Sequence, residues 1–423
     1  MKLNSITLAF VVFLLVPGCG GGGGGSSSSS SSGGGSSSQP TNVMLLTVNG
    51  STCDSSLTTA TGYINDACVS ITVCTPGAST CQTIKSILLD TGSYGLRIFK
   101  QALGNVSLSQ VTSGSGSLAE CVQYADGTSD WGPVQTASVI LGSEPAVQVP
   151  IQVIDSTFSA IPSLCGPANG YTPDQSPSID GFNGILGVGP FIYDCGNACV
   201  TSSAIGQYYS CSGSNCSATT VTLKNQVQDP VASLPTDNQG LIVELPGVSA
   251  SGAASLTGSI VFGIGSQSNN SLSGVTAYAL DQNGNFITTF NNVSDSGSFI
   301  DTGSNGLFFP SPFMAVSGPY KGLLPDCSGN NSAWFCPPTT NSNPDGITPL
   351  AATIAGYSGS PTATVPFSIG NYNSITNSSN MVFGDVGGDS PSFDWGLPFF
   401  FGRNVYIGFE NKASLDTGQY FAY

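Results

Sequence analysis

The chain is 423 residues long and sets 24 acidic against 8 basic side chains, a formal net charge of −16, with no histidine. Without imidazole, Ser-His and Cys-His catalytic arrangements and every metal site that depends on histidine are excluded. So few cations also leave no basic patch for phosphate, and nucleic acid is not an expected partner. Carboxylates are the chemistry that remains. In acid they are protonated while few positive groups repel one another, so the composition suits low pH.

Lys2 precedes an apolar run, Ile6 to Val16, that meets Pro17-Gly18-Cys19. The run is shorter than the roughly 20 residues of a bilayer-spanning helix and predicts a signal peptide over residues 1–18. Val16-Pro17-Gly18-Cys19 resembles the lipobox of bacterial lipoproteins, in which cleavage before the cysteine leaves it lipidated. A plain cleaved signal is the alternative. The Gly and Ser runs that follow read as a flexible tether, so Cys19 and residues 19–40 form the expected anchor and tether. The expectation is an exported, monomeric cell-envelope lipoprotein, facing the periplasm or on the cell surface, that meets the membrane only through its lipid.

Beyond the tether, Val69 to Val73, Ala137 to Leu141, Val147 to Ile154, Gly240 to Leu245, Ser259 to Phe262 and Val405 to Phe409 are β-branched or alternating runs. Gly, Pro, Asn and Ser bound them. Helical periodicity is scarce, which predicts a mostly β chain whose turns use its 55 Gly and 26 Pro. Its length exceeds a usual single core and predicts two lobes, residues 41–235 and 236–423.

Setting aside Cys19, 12 of the 13 cysteines remain, an even number in an exported chain and enough for six disulfides. Cys74 with Cys81 and Cys327 with Cys336 are close enough to staple local loops. Cys195, Cys199, Cys211 and Cys216 cluster, as disulfides or, alternatively, as a four-cysteine zinc site. Spacing does not give the connectivity.

The central feature is a repeat. Ile87-Leu88-Leu89-Asp90-Thr91-Gly92-Ser93 is answered by Ser298-Phe299-Ile300-Asp301-Thr302-Gly303-Ser304, and Tyr94-Gly95-Leu96 by Asn305-Gly306-Leu307. Each copy reads as a strand delivering one carboxylate onto a tight loop. Two acids about 3 Å apart cannot both ionise, so a pair formed by Asp90 and Asp301 could act as base and acid together. Gly92 and Gly303 would let backbone N–H groups approach the carboxylates, and Ser93 and Ser304 would hydrogen-bond their outer oxygens. A third Asp-Thr-Gly, at Asp416, lacks the Gly-Leu that follows the others and reads as a turn. Asp281-Gln282-Asn283-Gly284-Asn285 begins like a calcium loop but lacks the closing glutamate, and also reads as a turn.

With these loops go Gln123-Tyr124-Ala125-Asp126-Gly127-Thr128, whose Asp-Gly is a hairpin signal, Gly184-Ile185-Leu186-Gly187-Val188-Gly189, and Asp394-Trp395-Gly396-Leu397-Pro398-Phe399-Phe400. In this order the landmarks resemble the pepsin-like, bilobal aspartic proteinases over most of residues 69–423. The resemblance implies a mostly β, two-lobed acid-protease fold with the active-site cleft between the lobes. It implies Asp90 and Asp301 as the dyad that activates water, Thr91 and Thr302 as bonds between the loops, and Tyr124, Asp126 and Gly127 as the flap over a peptide substrate. The implied mechanism needs no metal or other cofactor.

The chain departs from that pattern in three places. Arg97 replaces the tryptophan that commonly supports the flap tyrosine, with Trp131 the candidate substitute and a surface-exposed or core position without that role its alternative. Asp394 stands where the family has an aliphatic residue. No Lys or Arg separates Lys2 from Lys85, so the usual basic prosegment is not expected. The expected function is an aspartic endopeptidase; the alternative is a non-catalytic surface lipoprotein that binds peptides or glycans in the same cleft.

Overall fold

The structure, a computed structural model, describes residues 40–50, 63–412, 415 and 418–423; the signal, Cys19, the tether and Asp416-Thr417 lie outside them. Pro40–Tyr423 form one compact unit. It is mostly β, built on an 18-stranded and a seven-stranded sheet.

Every run expected to be extended lies within or largely within a strand: Asp66–Cys74, Thr128–Leu141, Val147–Ile154, Gly240–Leu245, Leu256–Phe262 and Arg403–Gly408. In the first of these Val69, Ile71 and Val73 are buried while Ser70 between them is exposed, the alternation that a half-covered sheet imposes. The second half is packed by rings: Phe290, Phe309, Phe367, Phe393 and Trp395 meet in edge-on, stacked and tilted pairs. Each such side chain contributes about 1.5–3 kcal/mol on burial.

One arrangement occurs twice and positions the site. Strand Cys81–Asp90 ends in the first Asp, and Tyr94–Phe99 leaves its loop. Gly184–Val188 threads between them, parallel to the first with Gly187 opposite Asp90, and antiparallel to the second. In the other half Val293–Asp301 and Leu307–Phe309 flank Asp394–Gly396, which runs parallel to the first with Gly396 opposite Asp301. The two threading strands lie on segments that the resemblance singled out, Gly184–Gly189 and Asp394–Phe400.

The halves 41–235 and 236–423 each carry one Asp loop, and their strands interleave. Val43–Asn49 pairs with Leu256–Phe262 on one side and Asp66–Cys74 on the other. Gly240–Leu245 joins Leu256–Phe262 to Arg403–Gly408.

Disulfides link Cys74 to Cys81, Cys121 to Cys165, Cys195 to Cys199, Cys211 to Cys216 and Cys327 to Cys336. Cys68 is disulfide-bonded as well. The four clustered cysteines are therefore two disulfides, not a zinc site.

Candidate active site

Asp90 and Asp301 face each other from the ends of their strands. A methyl group built at Gly92 would stand 2.6 Å from Asp301 Cγ, and one at Gly303 would stand 2.9 Å from Asp90 Cγ. Each glycine lies against the opposite carboxylate, so no side chain fits at either position. The backbone N–H groups serve their own loops: Gly92 N donates to Asp90 Oδ1 at 2.8 Å and Gly303 N to Asp301 Oδ1 at 2.7 Å.

The threonines tie the loops together. Thr91 N donates to Thr302 Oγ1 at 3.1 Å and Thr302 N to Thr91 Oγ1 at 3.0 Å. Each hydroxyl then donates across the interface, Thr91 to Ile300 O and Thr302 to Leu89 O. Thr302 is completely buried and Thr91 nearly so. Four bonds in a dry environment fix one loop against the other.

Burial, then the Asp90 charge, then Asp394 push the Asp301 carboxyl well above its usual range, and the two dyad side chains share a hydrogen bond. One proton held between two buried acids is the state in which one can donate while the other accepts.

The two serines do not behave alike. Ser304 Oγ lies 2.9 Å from Asp301 Oδ2, as expected. Ser93 does not hydrogen-bond Asp90: its hydroxyl is buried without a hydrogen-bond partner among the described residues. The hydroxyl is tucked beneath the threading strand, where a methyl built at Gly187 would stand 2.8 Å from it. In the second half the threading strand instead offers the serine a partner, Asp394, whose Oδ2 lies 2.6 Å from Ser304 Oγ. Burial pushes the Asp394 carboxyl up to about 8.

Above the dyad, Gly116–Gln123 and Thr128–Leu141 form a hairpin. Its turn is closed by Tyr124 N donating to Thr128 O and Gly127 N to Tyr124 O. Gly127 takes φ +87° and Asp126 Oδ1 accepts from Thr128 N, so both residues of the Asp-Gly signal make the turn. Tyr124 OH donates to Asp130 Oδ2 at 2.8 Å. Burial and that carboxylate hold the phenol in its neutral, donating form. Trp131 does not support it. This tryptophan is wholly buried against Tyr209 and donates to Ser159 O, because it follows Asp130 on the strand and points to the opposite face.

Arg97 takes over beneath the hairpin. Its fully buried guanidinium lies 3.1 Å from Glu120 and 3.2 Å from Asp194, and donates to Tyr94 O. Gln207 Nε2 donates to both acids and Tyr208 OH to Asp194. The Arg97 charge also acts on Tyr124 and Asp130. Asp130 in turn is hydrogen-bonded to Asp174: burial raises the first to about 6, and burial with the Asp130 charge raises the second to about 10. Nothing in the sequence around Asp130, Asp174 or Asp194 pointed to these pairings, which join residues far apart in the chain.

A cleft of about 300 Å³ contains Asp90, Asp301 and Tyr124 together. Leu88, Phe182, Ile185 and Phe308 give it apolar walls, and Asp66, Asp126, Asp174 and Asp180 add carboxylates. Among the described residues no grouping of His, Cys, Asp and Glu could hold a metal ion. The Asp281 loop is a turn, with Asp281 Oδ1 accepting from the N–H groups of Asn283 and Asn285. No helix among the described residues is long and apolar enough to cross a membrane.

No curated protein matches the chain. Residues 38–423 match the family model described as "Protein of unknown function (DUF3443)", and with almost the whole chain covered the protein belongs to that family.

Proposed function

We propose that this chain is an aspartic endopeptidase with a two-lobed, pepsin-like fold. The observation that carries the reading is the meeting of Asp90 and Asp301 on the floor of one cleft, each loop gripped by the other's threonine. In this reading one carboxyl takes a proton from a water molecule as the other protonates the scissile carbonyl, giving a tetrahedral diol without a covalent enzyme intermediate. The proton belongs to the pair rather than to either residue.

The substrate is an extended peptide laid under the Tyr124 hairpin as an added strand, with apolar side chains flanking the cut against Leu88, Phe182, Ile185 and Phe308. The protein acts as a monomer outside the cytoplasm, held to the envelope by a lipid on Cys19 and its Gly/Ser tether. Intact-mass analysis of membrane-extracted protein tests the anchor: an unmodified amino terminus downstream of Cys19 rules it out.

Cleavage of a denatured protein mixture between about pH 3 and 7 tests the activity. Wild type should cleave, pepstatin should inhibit, and Asp90→Asn and Asp301→Asn should each abolish turnover. Three folded, equally inert proteins would overturn the peptidase reading in favour of a cleft that only binds peptides or glycans. A statine-type peptide that binds no tighter than the matching substrate would point the same way.

A further inference from the structure

Ser304 Oγ stands between two carboxyl oxygens, 2.9 Å from Asp301 Oδ2 and 2.6 Å from Asp394 Oδ2. A serine hydroxyl has one hydrogen and two lone pairs. It can donate to one of these acids and must accept from the other, so one of them is protonated and donating.

The surroundings decide which. Asp301 accepts from Gly303 N and shares a hydrogen bond with Asp90. Asp394 is buried, and its Oδ1 has no hydrogen-bond partner among the described residues. An ionised Asp394 would leave charge on an oxygen that no protein donor satisfies. The charged groups facing it are the acids of the dyad, Asp90 and Asp301. On the strands at either side its neighbours in register are Phe299 and Phe308. No ion pair among the described residues reaches it.

The geometry points to Asp394 as a positioning residue that works in its protonated form: it donates to Ser304 Oγ and thereby commits the single Ser304 hydrogen to Asp301 Oδ2. When Asp394 ionises, its oxygen becomes a competing acceptor at the shorter distance. The serine hydrogen turns toward it, and Asp301 loses a fixed contact. The dyad thus carries a third acid as a gate on its alkaline side. The kinetic part of this inference rests on the peptidase reading; the protonation of Asp394 does not.

Two measurements on the full chain test it. In kinetics, Asp394→Leu removes the donor, whereas Asp394→Asn keeps a donor that cannot ionise. Asp394→Leu should lower kcat about tenfold, the scale of one buried hydrogen bond, with KM changed by less than about twofold. Asp394→Asn should restore most of that loss and move the alkaline limb of the rate profile up by about one pH unit or more. In a Ser304→Ala background the same substitution should leave the limb where it is. An Asp394→Asn variant as impaired as Asp394→Leu, or one with an unmoved limb, overturns the proposal.

The second measurement needs no substrate: difference infrared spectroscopy at pH 6 between wild type and Asp394→Asn. One protonated-carboxyl carbonyl band should vanish in the variant, and its persistence overturns the proposal. A chain that shows this loss yet cleaves nothing would defeat the peptidase reading while leaving the protonated Asp394 in place.

Discussion

Thr91 and Thr302 each accept a hydrogen bond from the other's backbone N–H, at 3.0 and 3.1 Å, and each donates to the strand that carries the opposite Asp. The separation of Asp90 from Asp301 is therefore set by two side chains that belong to neither carboxylate. Any change in one threonine is felt by both acids.

Thr302→Ala should destabilise the fold by about 1–3 kcal/mol, because it leaves Thr91 N and Leu89 O buried and unpaired. Peptidase activity should fall by about 10²-fold if the loops shift by 1 Å. Thr302→Ser, which keeps the hydroxyl, should recover most of both. Urea unfolding and steady-state kinetics on the two variants check this, and equal behaviour of Ala and Ser would contradict it.

Gly92→Ala separates site geometry from stability. Its methyl would meet Asp301 Cγ at 2.6 Å, well inside van der Waals contact, so the carboxylates must part. Cleavage and statine affinity should both be lost while the melting temperature moves by only a few degrees. An active Gly92→Ala protein would show that the two acids need not touch.

Arg97 tests the support under the hairpin. Arg97→Ala leaves Glu120 and Asp194 buried together without their cation and should cost about 3–5 kcal/mol. Combining Arg97→Met with Glu120→Gln and Asp194→Asn should recover much of the loss, since no charge is then left uncompensated. If the triple variant is as unstable as Arg97→Ala in urea, packing rather than charge is what Arg97 supplies.

Stability should decline as pH rises. Burial holds Asp130 and Asp385 at about 6, Asp394 at about 8 and Asp174 at about 10, all above the 3.8 of a free Asp. The folded chain therefore binds more protons than the unfolded one once pH exceeds about 4, and stability falls through those values. The melting temperature should be higher at pH 4 than at pH 7.5, and Asp394→Asn should flatten the upper part of the curve. A melting temperature that climbs over this interval would refute the assignment.

The dyad was legible because a mutual grip demands the same short residues on both sides, and the duplication of Asp-Thr-Gly-Ser exposed it. The hairpin was legible through Asp126-Gly127, and the strands through their alternation. Ser93 and Ser304 mark the limit. Their local sequences agree, yet one lies beneath Gly187 and the other beside Asp394, and only the threading strands, some 90 residues away in each half, make that difference. Arg97 was visible as a departure but its role was not, because its partner Asp194 lies 97 positions further on. Val43–Asn49 escaped notice as a strand for a related reason. Its identity depends on Leu256–Phe262, in the other half of the chain.

That last pairing bears on how the molecule comes to exist. Asn42 donates to Phe262 O across 220 positions, and the strand beginning at Val43 runs antiparallel to the one that ends there. A growing polypeptide has nothing to lay against this edge until more than half of it has been made. Contacts of such long range are formed late and against a large loss of chain entropy. An isolated amino-terminal half would present the bare edge to other copies of itself and aggregate. The two acids likewise come from different halves of the chain, 211 positions apart at the threonines that join their loops, and become neighbours only after both halves have been made.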